Sequence, residues 1–233
     1  MRFTFVTLFR ELVEFYFDDS IMKRAKEAGL IAIDFANPRD LAENKHNKVD
    51  DYACGGGAGL VMTPQPLFDT LEKIRTEEPE AHFLFMTPAG KPFRQADAER
   101  LAKKKRLVLV SGRYEGFDER VVEAYADEVF SIGDYVLTGG ELASMVVADA
   151  VSRNVEGVLG NESSLDEESF THGMLEAPAF TKPAEFRERK VPSVLLKGNH
   201  SNIASFKSEA ALAKTRFHRP DLYERQKQKI KKK

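Results

Sequence analysis

The sequence predicts an α/β protein: a parallel sheet flanked by helices, followed by a small, basic, helical C-terminal domain. Three observations lead there. Short β-rich runs alternate with helical patterns over roughly the first 150 residues, the signature of βαβ units. A small, polar, acidic segment, "GVLGNESSLDEESF" (157–170), then interrupts the alternation as a linker would. Beyond it the chain turns basic. Residues 182–233 carry fifteen Lys and Arg against five Asp and Glu, whereas residues 1–181 carry twenty against thirty-two, so the net charge of −2 hides an asymmetry.

The elements follow in order. "RFTFVTL" (2–8) reads as a strand and Glu11–Ala28 as an amphipathic helix. "LIAIDFA" (30–36) is the next strand, followed by a glycine-rich stretch and a helix over Pro66–Arg75. "AHFLFM" (81–86), "RLVLVS" (106–111) and "DEVFSI" (127–132) are further strands, separated by helices over Gln95–Lys104 and Phe117–Ala124. "GELASMVVADAVSRN" (140–154) places its apolar residues at the helical period. Helices are also expected over Asn202–Lys214 and from Tyr223 onward. This divides the chain into residues 1–157, a linker over 158–170 and a basic helical domain over 171–233. In a parallel sheet ligands collect at the C-terminal ends of strands. Three loops converge there: "TPAGKPF" (87–93), "SGRYEGFDERV" (111–121) and "SIGDYVLTGGE" (131–141).

Composition narrows the class. With 42% apolar residues the chain can build a sizeable core. A single cysteine, Cys54, excludes an intramolecular disulfide framework and a cysteine-rich zinc site, and fits a reducing cytoplasm. The apolar-looking N-terminus is interrupted by Arg2, Arg10, Glu11, Glu14, Asp18 and Asp19, so neither a signal peptide nor a membrane span is expected. A basic C-terminal quarter on an acidic body points to a polyanionic partner, nucleic acid above all.

Common catalytic motifs fail. "CGGGAG" (54–59) lacks the Gly-Lys-Ser/Thr ending of a phosphate loop and does not fit G-x-G-x-x-G. No G-x-S-x-G elbow occurs. The five histidines are scattered without metal-ligand spacing, and no metal site is expected.

Longer strings are informative. "NPRDLAENKHNKVDDYACGGGAGLVM" (37–62), "SGRYEGFDERV", "SIGDYVLTGGEL", "ESFTHGMLEAPAFTKP" (168–183) and "VPSVLLKGNHSNI" (191–203) occur in one order. Together they closely resemble the bacterial tRNA (guanine-N1)-methyltransferases that modify guanosine 37, next to the anticodon. That family belongs to the knotted SPOUT class, and the resemblance covers essentially the whole chain. It implies a deep trefoil knot, a homodimer with active sites at the subunit interface, and S-adenosyl-L-methionine as methyl donor. It leaves a Mg2+ dependence open, since no carboxylate cluster in the sequence identifies a site.

The resemblance also implies residue roles. Met86, Thr87, Gly112, Tyr114 and Gly116 match adenine and ribose contacts, and Ile132, Gly133, Asp134, Tyr135, Val136, Leu137, Gly139 and Gly140 complete the pocket. Ala143 stands where the family often has proline. Methylation at guanine N1 requires removal of a proton and stabilisation of charge on O6. The match places the cation at Arg153 and the base at Glu168, where the family has aspartate, with Asp166 as a less favoured substitute. The resemblance places Asp50 near the target guanosine, and Lys45, His46, Lys182, Asn199 and His200 are expected tRNA contacts because phosphate recognition needs cations and hydrogen-bond donors. The aspartate-to-glutamate change motivates one alternative: a catalytically weak or inactive RNA-binding module on the same fold.

Overall fold

A computed structural model describes residues 1–160 and 168–231. The chain divides into two compact units, Met1–Gly160 and Asn161–Lys233.

The first unit is built on five strands: β1 (Arg2–Val6), β2 (Ala32–Ala36), β5 (His82–Pro92), β6 (Arg106–Ser111) and β7 (Glu128–Ser131). They lie in the order β2-β1-β6-β5-β7, and every pairing is parallel. Side chains alternate across a strand, so each strand feeds two cores. Phe3, Phe5, Leu84, Met86, Leu107 and Leu109 join one buried cluster. That cluster receives α1 (Arg10–Glu14), α2 (Ser20–Glu27), α4 (Gln95–Leu101) and α6 (Glu141–Ser152), through Val13, Met22, Ala25, Leu101, Val147 and Val151. Val6, Phe83, Phe85, Val108 and Val110 join the other, against Leu67, Leu71 and Ile74 of α3 (Pro64–Glu77) and Val121 of α5 (Glu119–Tyr125). Continuous apolar runs such as "RLVLVS" are what burial on both faces demands.

Three elements depart from the sequence expectations. The helix expected over Glu11–Ala28 is broken: α1 ends at Glu14, a 3-10 turn covers Phe15–Asp18, and α2 begins at Ser20. Asp19 is extended at φ −136° and ψ 164°, and its carboxylate accepts the Ser20 N–H at 2.6 Å. The turn buries Phe17, whose ring centroid lies 5.5 Å from that of Phe5. Capping chemistry and one buried ring outweigh helical periodicity here. The strand expected over 81–86 runs on to Pro92, so the "TPAGKPF" loop is a bulge within β5. The glycine-rich stretch holds a short antiparallel pair, β3 (Asp50–Tyr52) with β4 (Leu60–Met62). Three-residue strands are too short to show a period.

The second unit contains a hairpin, β8 (Glu185–Phe186) with β9 (Arg189–Lys190), a 3-10 turn over Ser193–Leu196, and two helices, α7 (His200–His218) and α8 (Pro220–Lys231), that pack on each other. Helix α7 extends past the expected bounds at both ends; at the start the Asn199 side chain caps it, accepting the Asn202 N–H at 3.1 Å. Thr215 is fully buried; its hydroxyl donates to the Ala211 carbonyl and accepts the Leu175 N–H at 2.9 Å. Among the described residues, no helix is long and apolar enough to cross a membrane.

An ion cluster pins the edge strand β7. Glu128 lies 2.8 Å from His82 Nε2 and accepts from Lys91 Nζ at 2.6 Å and from Arg100 Nη1 and Nη2 at 2.9 and 2.8 Å. Burial opposes its ionisation, but hydrogen bonds from Arg100, Lys91 and His82 prevail and hold the carboxyl at about 2, against an ordinary 4.5. A depressed folded-state pKa contributes stability that is present above 4.5 and lost as the pH falls toward 2. Glu128→Gln is therefore expected to destabilise the protein at neutral pH by on the order of 2–3 kcal/mol. Urea unfolding across pH should show that deficit shrinking as the pH falls from 4.5 toward 2. A deficit that does not vary with pH would refute the ionic origin.

Candidate ligand cleft and active-site residues

The β5 bulge and the loops after β6 and β7 enclose one cleft. Met86, Thr87, Gly112, Tyr114, Gly116, Ile132, Gly133, Tyr135, Val136, Leu137, Gly139 and Gly140 all line it. Asp134 does not line it and is exposed. The sequence reading missed Pro88, Glu115, Phe117, Phe130 and Ser131, which also contribute to the wall. Ala143 lines the cleft as well, so the departure from proline falls on the cavity surface. Phe130 and Met86 are buried strand residues whose pattern signals packing, and nothing in it distinguishes a core face from a cavity wall.

The cleft is shaped mainly by backbone. The Gly140 N–H donates to the Gly112 carbonyl at 2.8 Å. A Cβ at Gly140 would lie 2.8 Å from both Gly112 N and Ser111 Cα, which are main-chain atoms that cannot swing aside. Gly133 adopts φ 157°, and a Cβ there would meet the Tyr135 ring at 2.3 Å. Ser131 staples this loop, donating to the Gly133 carbonyl at 2.9 Å and accepting its N–H at 3.2 Å. Ser111 and Ser144 share a buried hydroxyl hydrogen bond of 2.8 Å beneath the floor. Tyr114 and Tyr135 stand half-exposed among the lining residues. The result is a cleft with glycine main chain close-packed at its floor and apolar and aromatic side chains around it.

A buried acid ties the loops together. Glu141, first residue of α6, is 2% exposed. Its Oε1 accepts from the Thr7 hydroxyl at 2.8 Å and from Arg113 Nε at 3.1 Å; its Oε2 lies 3.0 Å from the same nitrogen. Arg113 also donates to the Thr138 carbonyl at 3.3 Å and stacks over Phe9 at 4.4 Å. Both residues sit inside the motif strings, yet each reads there as an ordinary charged loop residue.

The two expected catalytic residues fall in different units. Arg153 is the C-cap of α6, beside a separate concavity with Tyr16, Ser20, Ile21 and Asp149. Glu168 belongs to the second unit, where it lines a cavity with His172, His200 and Lys207. Asp166 is outside the described residues. Asp50 is buried in β3, at 9% exposure, and Lys45 and His46 are exposed in the preceding loop. Lys182, Asn199 and His200 are exposed in the second unit, and the Asn199 side chain serves as a helix cap. Among the described residues, no group of three or more His, Cys, Asp or Glu could hold a metal ion.

Comparison with known proteins identifies the family. Residues 1–225 match the family described as tRNA (Guanine-1)-methyltransferase TrmD. Relatives named tRNA (guanine-N(1)-)-methyltransferase include one from Sulfurovum sp., 62% identical over 97% of this chain and 99% of its own length. Another from Sulfurimonas denitrificans is 58% identical over 95% of this chain and 96% of its own. A third from Campylobacter curvus is 58% identical over 100% of this chain and 99% of its own. All three carry the name of an enzyme, which gives the inactive RNA-binding alternative no support. From Met1 to Arg225, through the cleft-forming loops and into the basic C-terminal helices, the chain belongs to the tRNA (Guanine-1)-methyltransferase TrmD family.

Proposed function

We propose that this tRNA guanine-N1 methyltransferase acts on guanosine 37, with S-adenosyl-L-methionine as donor bound in the cleft between the three loops. The observation that carries the reading is the coincidence of twelve motif-matched residues on one backbone-lined cavity at the C-terminal edge of the sheet. The glycine-cradled floor fits an adenosine moiety, because adenine needs an apolar slot with main-chain hydrogen-bonding groups. When bound, the donor supplies a methyl group on a sulfonium sulfur. The remaining tasks fall to side chains. Guanine N1 is protonated at neutral pH, so Glu168 takes that proton, and Arg153 stabilises charge developing on O6.

The basic second unit is the part that binds tRNA, with Lys182 and His200 among its exposed contacts and Lys45, His46 and Asp50 contributing from the first. The site of action is the cytoplasm, where tRNA is found. A trefoil knot within residues 1–157 is inferred from the family. The parallel sheet, in the order β2-β1-β6-β5-β7, is compatible with it.

Homodimerisation is supported by an unpartnered apolar face. Helix α1 packs on α6, and around them Leu12, Phe15, Leu142 and Val146 are 55%, 77%, 55% and 48% exposed. Large apolar side chains left exposed on two packed helices mark an interaction surface. Sedimentation equilibrium is expected to give a dimer for the wild type and a monomer for Leu142→Glu/Val146→Glu. The double variant should lose tRNA methylation while keeping its fold. A fully active wild-type monomer would overturn the dimer.

Catalysis is tested by single-turnover transfer of labelled methyl to tRNA transcripts carrying guanosine or adenosine at position 37. Only the guanosine transcript should be labelled. Glu168→Gln is expected to slow transfer by on the order of 10²-fold or more, with donor affinity unchanged, and Glu168→Asp to retain substantial activity. An unchanged rate in Glu168→Gln would remove Glu168 as the base.

A further inference from the structure

The bulge in β5 connects the ion cluster to the cleft. Both Met86 and Lys91 register against Phe130 of β7, so residues 87–90 are looped out of the ladder before Pro92 pairs with Ser131. Thr87 and Pro88, inside that loop, line the cleft, as does Phe130 behind it. The loop is anchored at each end. Met86 is 3% exposed in the core. At the other end Gly90 presses on the main chain of Phe130, where a Cβ would lie 2.5 Å from its carbonyl carbon. Lys91 then places its ammonium 4.7 Å over the Phe130 ring and 2.6 Å from Glu128 Oε2.

Neither Lys91 nor Glu128 touches the cleft, and the lysine side chain is 52% exposed. A bulge on a parallel pair has no regular hydrogen-bond ladder to hold its shape, so a fixed cation at its exit does that work instead. Pro92 reinforces the point by restricting the Lys91 backbone to extended conformations. Arg100 completes the anchor from α4: it makes two hydrogen bonds to Glu128 and one to Asp97 at 3.1 Å, which orients the carboxylate toward Lys91.

We propose that Lys91 and Glu128 are positioning residues for the methyl-donor cleft, setting the path of the 87–90 bulge and hence donor affinity without taking part in methyl transfer. The proposal rests on the reading of the cleft as the S-adenosyl-L-methionine site.

The test uses isothermal titration with S-adenosyl-L-methionine, thermal melting and steady-state kinetics on the full chain. In Lys91→Met and Glu128→Gln the donor Kd should rise about tenfold, and in Lys91→Arg it should return to within about threefold of wild type. The donor KM should rise in parallel, while kcat at saturating donor stays within about twofold and the KM for tRNA does not move. Unchanged donor affinity in both Lys91→Met and Glu128→Gln would overturn the proposal. So would a loss of kcat and tRNA affinity that simply tracks a lowered melting temperature, because that is general destabilisation. Gly140→Val separates the two levels. If it abolishes donor binding while Lys91→Met binds normally, only the positioning role fails. If Gly140→Val binds the donor like wild type, the cleft is not the donor site and the positioning role falls with it.

Discussion

The Glu141 carboxylate is the constraint on which the cleft depends. It is almost wholly removed from water, and a buried charge persists only where it is paired and hydrogen-bonded. Thr7 comes from the segment after β1, Arg113 from the loop after β6, and Arg113 reaches on to Thr138 in the loop after β7. One acid thus obliges three separate stretches of chain to meet at the N-terminus of α6. Its position there is electrostatically favourable, since the first turn of a helix presents unpaired N–H groups and a partial positive charge. Removing Arg113 would leave a buried carboxylate without its cation, which is far more costly than losing a surface pair. The glycines flanking this cluster then serve a packing purpose, admitting backbone to backbone where any side chain would force the loops apart.

Much of the architecture was legible because parallel strands buried on both faces have little choice of composition. "RLVLVS" and "AHFLFM" could only be internal strands, and "GELASMVVADAVSRN" carries a clear helical period. What escaped was local geometry decided by a few side chains. Asp19 breaks a helix that periodicity would continue, by capping the next one. Asp50–Tyr52 and Leu60–Met62 form strands of three residues, below the length at which alternation is visible. The β5 bulge keeps Lys91 and Pro92 in the sheet after a four-residue excursion that reads as a plain loop in sequence.

The cleft itself was visible only as ordered strings, because its chemistry is carried by main chain and glycine rather than by catalytic residue types. Asp134 lies within a matching string without lining the cavity, although Gly133 and Tyr135 on either side of it do. Conversely Arg113 and Glu141, which hold the loops in place, have no sequence signature separating them from solvated charges. Their importance follows from burial, and burial is a property of the folded chain.

The approach of Gly140 to Gly112 carries a consequence for variation. A floor made of close-packed main chain keeps its shape whatever side chains surround it, so its selectivity is written in the path of the chain. Substitutions at the rim, at Tyr114, Tyr135 or Ala143, can tune fit and access, but none can exchange a peptide N–H or carbonyl for a different group. Mutational escape from a compound bound to that floor therefore has to come from the rim or from a change in fold. A compound that draws its affinity from the peptide groups leaves the chain few single-residue answers.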